Sequence, residues 1–386
     1  MKKVLFVCYG MGVGGIEKCL VNLINVMSEE KYKVDILLMN PEYALKSEVK
    51  TSVKYLDSYD YVMNTTDTIK EIKRRGGIKG NIQKFHRYCL FRLMVKFCGK
   101  AWKIFSPTKD EYDIAIAYSH HDYSSYYVID KVKAKRKVLW FHNGIYTGNR
   151  MRYYWDKIYY PQFDYIVAVS KDCEEILKNK FSFKTGQLIV LRNICDADQI
   201  KKWSFEYYPE NFIEGRIHIV TVGRLTKEKG IDIALDACEL IVKKGYKICW
   251  HWIGDGNMKE DSQNKIKEKE LEQYFILEGE KANPYPYIRK CEIYVQPSYY
   301  EAYSTTVTEA KILCKPIIVT DVGGMREQIV ENETGIITPV GADFLAQGII
   351  RLIDDKVLQR KMISQLKKEM IDITEYLNEY EHTIFN

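Results

Sequence analysis

Four charged residues in the second half of the chain have types and spacing suited to phosphate and sugar chemistry. Arg224 and Lys229 lie in IVTVGRLTKEKG, residues 219–230, which reads as a strand, a turn and a helix start. Arginine supplies a planar fork and lysine a point charge, a combination suited to a diphosphate. Glu301 and Glu309 lie in QPSYYEAYSTTVTEA, residues 296–310. Glu301 ends a loop after a strand, and Glu309 falls about two turns into the next helix. Ser304, Thr305 and Thr306 offer helix N-terminal N–H groups near both carboxylates. One carboxylate accepts two sugar hydroxyls at once, so paired acids beside a phosphate site point to a nucleotide sugar.

The first strand runs into Gly10-Met11-Gly12-Val13-Gly14-Gly15-Ile16-Glu17, which contains G-x-G-x-x-G through Gly10, Gly12 and Gly15. Glycines let backbone N–H groups approach a phosphate, and the following helix adds its N-terminal dipole. A dinucleotide site also wants an acid after the second strand. Here that strand ends ILLMNPE, and Glu42 fits poorly. A nicotinamide-dependent oxidoreductase is therefore the alternative reading, and it leaves Arg224, Lys229 and the glutamate pair unexplained. His142, in LWFHNGIY, sits at a strand end that faces the same cleft. Ser119-His120-His121-Asp122 is not read as a metal site, because adjacent histidines point apart. Asp196-Ala197-Asp198 matches D-x-D but reads as a helix N-cap. G-x-S-x-G and H-E-x-x-H are absent, which leaves a serine hydrolase of that type or a zinc protease without support.

These residues need elements to hold them. Continuous apolar runs at 4–8, 34–38, 114–118, 137–141, 165–169, 217–222, 249–253, 293–296 and 316–320 read as strands covered on both faces. Helical patterns at 17–27, 171–179, 231–243 and 306–313 lie between them. Strands alternating with helices imply parallel sheets. The alternation weakens over 195–215, which places a boundary between domains 1–200 and 201–365. At about 150 residues per domain, 386 residues give two domains.

With 46% hydrophobic and 28% charged residues, the chain is a folded protein, not a disordered one. The net charge of +6 conceals an uneven distribution. Residues 70–103 hold eleven Lys or Arg against one acid, leaving 47 basic and 51 acidic residues elsewhere. Within 84–105, Arg92, Lys96, Lys100 and Lys103 fall in about a quarter of a helical wheel, with Phe91, Phe97, Trp102 and Phe105 among the apolar remainder. Such a basic amphipathic helix fits an anionic membrane surface. No RNA-recognition module accompanies it, so no nucleic-acid partner is expected. Ten cysteines without a CxxC pair read as reduced, buried thiols of a cytoplasmic protein. No apolar run approaches the roughly 18 residues of a membrane span. The N-terminus reads as a strand, not a signal peptide.

Taken together, GVGGIEK, WFHNG, AVSK, VLRNICD, VGRLTKEKG, WIGDG, LEGEKANPYPYI, QPSYYEAYSTTVTEA and TDVGGMREQI resemble family 4 glycosyltransferases, in that family's order and over nearly the whole chain. The resemblance implies an α/β GT-B fold, with two facing Rossmann-like domains, parallel sheets and a deep inter-domain cleft. The tail 366–386 is expected to pack back on the first domain. The implied activity is a retaining, hexosyltransferase-type transfer from a nucleotide sugar, expected to be a UDP-sugar. The acceptor is a glycan, expected to be lipid-linked, in bacterial surface or capsular polysaccharide synthesis. No cofactor or metal is expected, and the enzyme is placed peripherally on the inner face of the plasma membrane.

The resemblance also assigns roles. Arg224 and Lys229 bind the donor diphosphate, and Gly14 and Gly15 approach its distal phosphate. Glu309 holds the ribose hydroxyls, and Gly279 lies beside the base. Glu301 contacts the transferred sugar, and N–H groups of Tyr303, Ser304 and Thr305 assist the phosphates. His142 matches a cleft histidine near sugar and acceptor. Tyr303-Ser304 departs from the family's usual Phe-Gly, and Asn193-Ile194 from its Asn-Gly. Retention is open to a covalent carboxylate intermediate or to front-side attack. The second is favoured, since Glu301 is the only obvious cleft acid near the sugar.

Overall fold

The computed structural model describes residues 1–12, 14–40, 44–56, 93–94, 100–120, 122–369 and 373–385. Two wholly parallel sheets organise them. The first has seven strands, ordered β3-β2-β1-β4-β5-β6-β7: β1 (Lys2–Cys8), β2 (Tyr32–Leu38), β3 (Val53–Leu56), β4 (Glu111–Ala117), β5 (Lys133–Phe141), β6 (Tyr165–Ala168) and β7 (Leu188–Val190). The second has six, ordered β10-β9-β8-β11-β12-β13: β8 (Ile217–Val222), β9 (Ile248–Ile253), β10 (Phe275–Gly279), β11 (Ile293–Gln296), β12 (Ile317–Thr320) and β13 (Gly335–Thr338).

In each sheet the chain winds outward one way, then reverses. The reversal falls between β1 and β4, and again between β8 and β11. At such a switch point the neighbouring loops part, leaving a crevice at the carboxyl ends of the strands where ligands bind. The glycine loop follows β1, Gly223-Arg224 follows β8, and the Glu301 loop follows β11. All three sequence motifs therefore sit at a switch point.

Helices cover both sheets through apolar stripes. Helix Ile231–Lys243 buries Ile231, Leu235, Cys238 and Ile241, spaced three or four residues apart. Separate cores underlie the two sheets, built around Phe6, Ile116 and Trp140 in the first and Ile219, Trp250 and Val295 in the second. The eight described cysteines are unpaired, and all but Cys314 are buried.

The end of the chain divides its packing. In helix Lys356–Lys368, Leu358 and Met362 pack in the second core. Tyr380, Ile384 and Phe385 pack in the first. There the Tyr380 hydroxyl donates to the Arg192 carbonyl (2.6 Å), and Lys2 donates to the Phe385 carbonyl (2.6 Å).

The amphipathic reading of 84–105 needs correction at its end. Most of that segment, including Arg92 and Lys96, lies outside the described residues. Trp102 and Phe105 are fully buried in the first core, so neither faces a membrane. Trp102 donates to Asp130 (2.6 Å), Lys103 pairs with the same carboxylate (2.7 Å), and Lys100 sits over the Trp155 ring at 4.6 Å. Burying two large rings outweighs exposing them at an interface. Among the described residues, no helix is long and apolar enough to cross a membrane.

Candidate functional site between the two sheets

The carboxyl edges of the two sheets face each other and touch. A Cβ on Gly15 would lie 3.6 Å from Thr305 Oγ1, so helices Gly15–Val26 and Thr305–Ile312 meet near their N-terminal ends. A Cβ on Gly144, in the loop after β5, would lie 2.6 Å from the Glu301 carbonyl oxygen. Any side chain at 144 would push the two domains apart. Ala302 packs in the first core, and Tyr303 packs against it. The 301–303 turn of the second domain is thus inserted into the first.

Lys229 and Glu301 form the centre. Lys229 Nζ lies 2.6 Å from Glu301 Oε1, which also accepts from Ser298 Oγ (2.9 Å) and Gln296 Nε2 (3.4 Å). Gln296 is oriented in turn by Tyr294 and Thr306, whose hydroxyls donate to its Oε1 at 2.8 and 3.1 Å. Lys229 ends a short 3-10 turn, Lys227–Lys229. The turn closes through Gly230 at φ +72°, where a Cβ would collide with the Pro297 carbonyl. The glycine of KEKG therefore brings Lys229 against the 297–301 loop.

Arg224 is placed differently. Its side chain is 66% exposed and pairs with Glu228 Oε1 at 3.1 Å. The fold brings Lys229 to Glu301, whereas Arg224 lies on the rim.

Glu309 is buried in helix Thr305–Ile312. Its Oε1 accepts from the Tyr285 hydroxyl at 3.3 Å, and its Oε2 has no hydrogen-bond partner among the described residues. Burial pushes its carboxyl above the usual range, against the opposing pull of Lys18 and Tyr285. A buried, half-satisfied carboxylate is costly, and it is what a ligand bearing hydroxyls would satisfy.

The remaining predicted residues fall at the same edges. Gly14 is the N-cap of its helix, in extended backbone. Gly279 ends β10 at φ +72°, with open space beside it. His142 follows β5, buried against Tyr118 with ring centroids 4.7 Å apart. Asp196 caps helix Ala197–Trp203 by accepting from Gln199 N at 2.9 Å. One expectation changes: the Ser304 N–H already donates to Gln328 Oε1 at 2.8 Å, while Ser304 Oγ caps the helix by accepting from Val307 N. Gln328 also donates to the Ser304 carbonyl (2.8 Å), so this turn is held from behind.

Sequence reasoning missed several contributors. Lys18 and Tyr285 face Glu309, and Ser298 and Gln296 face Glu301. Glu327 crosses between domains: its oxygens accept from the N–H groups of Lys171 and Asp172, both at 3.2 Å, at the start of helix Lys171–Lys180. Burial raises the Asp172 carboxyl, and Glu327 adds to the rise. A cluster of Gly323-Gly324 followed by an acid was the available signal. Cβ atoms there would strike the carbonyls of Glu301 and Ala302.

Comparison with known proteins agrees with this arrangement. The family model described as Glycosyltransferase Family 4 matches residues 13–199, and that for Glycosyl transferases group 1 matches 206–369. An N-acetylgalactosamine-N,N'-diacetylbacillosaminyl-diphospho-undecaprenol 4-alpha-N-acetylgalactosaminyltransferase of Campylobacter jejuni is 24% identical over 95% of this chain and 94% of its own. A poly(ribitol-phosphate) alpha-N-acetylglucosaminyltransferase of Staphylococcus aureus is 25% identical over 59% of this chain and 49% of its own. HepE of Anabaena, solved with UDP and glucose, superposes with a TM-score of 0.74 at 15% identity, covering all of both chains. TarM superposes at 0.72 and 13%, covering 100% of this chain and 99% of its own. The oxidoreductase alternative finds no support; β2 ends at Leu38 and is followed by Met39 and Asn40, with no acid there. With two doubly wound sheets meeting over Lys229, Glu301 and Glu309, the chain belongs to the family 4 glycosyltransferases of GT-B fold.

Proposed function

We propose that this glycosyltransferase moves a sugar from a UDP-sugar to a lipid-linked glycan, with retention of anomeric configuration. The observation that carries the donor site is the buried, half-satisfied Glu309 carboxylate beside the Lys229–Glu301 pair. Glu309 Oε2 takes the ribose hydroxyls, with Gly279 beside the base. Lys229 and Arg224 bind the diphosphate, Arg224 by turning from Glu228, and Gly14 and Gly15 approach the distal phosphate. The N–H groups of Tyr303 and Thr305 assist, whereas that of Ser304 is engaged by Gln328. Glu301 orients the transferred sugar on its hydroxyl side, with His142 near sugar and acceptor.

In front-side attack the bond from the anomeric carbon to the diphosphate oxygen breaks. The acceptor oxygen bonds to that carbon on the same face. The acceptor proton passes to the departing diphosphate. Lys229 and Arg224 stabilise the charge that grows there, a role otherwise served by a metal. A panel of nucleotide sugars scored for binding and slow hydrolysis tests the reading. UDP-sugars should bind tightest and hydrolyse at rates unchanged by added magnesium. Preference for another base, or dependence on magnesium, overturns that part of it.

The acceptor side belongs to the first domain. Two cavities of about 130 and 150 Å³ open near its carboxyl edge. Tyr9 and Tyr118 help line the first, and Arg152 and Asp156 the second. A lipid-linked acceptor also calls for proximity to a membrane, and the basic strip 70–103 supplies it on the cytoplasmic face. Lys103 is engaged with Asp130, so the contact is assigned to the basic residues before it in the sequence. In flotation with anionic liposomes, neutralising Arg92 and Lys96 should reduce binding by about 30-fold, at about 1 kcal/mol per basic residue. Equal flotation of wild type and variant removes the membrane contact.

A further inference from the structure

A second cluster of functional side chains lies away from the cleft. His218 on β8 and Cys249 on β9 are register partners, and His251 lies two residues beyond Cys249, so all three project from one face of the sheet. All three are buried, and their ligand atoms lie within 4.8 Å of one another. His218 Nδ1 and His251 Nε2 approach to 2.9 Å. The outer ring nitrogens are both occupied: His218 Nε2 is 2.9 Å from the Ile213 carbonyl, and His251 Nδ1 is 2.9 Å from Glu278 Oε1.

That outer pattern is informative. A carbonyl and a carboxylate on the outer nitrogens call for N–H there, which turns both inner lone pairs toward each other and toward Cys249. Histidine ligands of a metal are held in this way, by a carbonyl or carboxylate on the far nitrogen. Glu278 is fixed in turn by Tyr287 (3.0 Å) and Asn211 (3.1 Å). Phe212 stacks on both imidazoles, with centroids at 4.4 and 4.5 Å.

We propose that His218, Cys249 and His251 form a buried zinc site, with Ile213 and Glu278 orienting the two imidazoles. Two imidazoles and a thiolate are a donor set suited to tetrahedral zinc, and a water completes the four. At a zinc–nitrogen distance of about 2.0–2.1 Å, tetrahedral ligation sets the nitrogens roughly 3.3 Å apart. The rings need part by only a few tenths of an ångström. Binding displaces the thiol proton of Cys249 and draws both inner lone pairs, which face each other across 2.9 Å, onto the ion. The site ties β8, β9 and, through Glu278, β10 to the 211–213 segment that enters the second domain. His218 lies four residues before Val222, about 13 Å along the strand from the cleft, so the role is structural and independent of the donor-site reading.

The test uses the full chain, stripped with chelator and titrated with zinc or cobalt(II). We expect one tightly bound metal per chain, a higher melting temperature with zinc, and cobalt spectra with tetrahedral d–d bands and a thiolate charge-transfer band. Cys249→Ser should lose the charge-transfer band, and His218→Gln should lose the zinc-dependent rise in melting temperature. Glu278→Gln should weaken zinc binding by about 10–100-fold. Should a variant fail to fold, the wild-type stoichiometry and spectrum decide alone. No stoichiometric uptake by wild type, or a cobalt thiolate band that survives in Cys249→Ser, overturns the site.

Discussion

Lys229→Ala is expected to lower turnover by about 10²–10³-fold, the scale of losing one preorganised donor to a developing anion. The same change should lower the melting temperature of the unliganded enzyme. Glu301 is buried, and Lys229 at 2.6 Å is its only salt-bridge partner among the described residues. Removing the cation leaves a buried carboxylate with two neutral donors, an arrangement that destabilises. Arg224→Ala should lose turnover on the same scale but leave the melting temperature unchanged, because its exposed pair with Glu228 contributes little to stability. Near-wild-type turnover in either variant would remove that residue from the diphosphate site. Equal melting temperatures for wild type and Lys229→Ala would show that the Glu301 pair is not held in solution.

Glu309→Gln should move stability and binding in opposite directions. Burial raises the Glu309 carboxyl, so in the empty enzyme the charged form is disfavoured. A raised folded pKa contributes stability that is fully present below the unfolded value, about 4.3. That contribution is lost as pH rises through the folded value. At neutral pH wild type therefore bears the cost of the charge, and the neutral glutamine does not. The variant should melt at a higher temperature than wild type at pH 7, and the gap should close as pH falls toward 4. Donor affinity should fall by about 10–100-fold, corresponding to about 1.5–3 kcal/mol for a lost hydrogen bond to a charged group. Calorimetry across pH and donor titration at pH 7 measure the two effects. A less stable variant at pH 7, or one with unaltered donor affinity, contradicts the assignment.

The contrast between Lys229 and Arg224 marks where sequence reading stops. Both were legible as cationic residues at a strand end. Which of them meets Glu301 depends on the 3-10 turn closed at Gly230 against Pro297, which brings Lys229 to a residue 72 positions away. Ser304 shows the same limit. Its place at a helix N-terminus was legible, but the engagement of its N–H by Gln328 arises from the short helix Met325–Gln328 that follows the next strand.

The amino-acid sequence by itself determined the nine interior strands, the alternation with helices, the division into two sheets and the motifs at the strand ends. Interior strands of a parallel sheet are covered on both faces and flanked on both sides, so their burial is written as unbroken apolar runs. The four strands without such a run, β3, β7, β10 and β13, are the edges of the two sheets. An edge strand is paired on one side only and needs no continuous apolar code. Only the tertiary structure decided these edges, the burial of Trp102 and Phe105, and the pairing of Glu327 with the 171–180 helix. Each depends on what another element presents at that place, and a local pattern of residues carries no record of a partner distant in the chain.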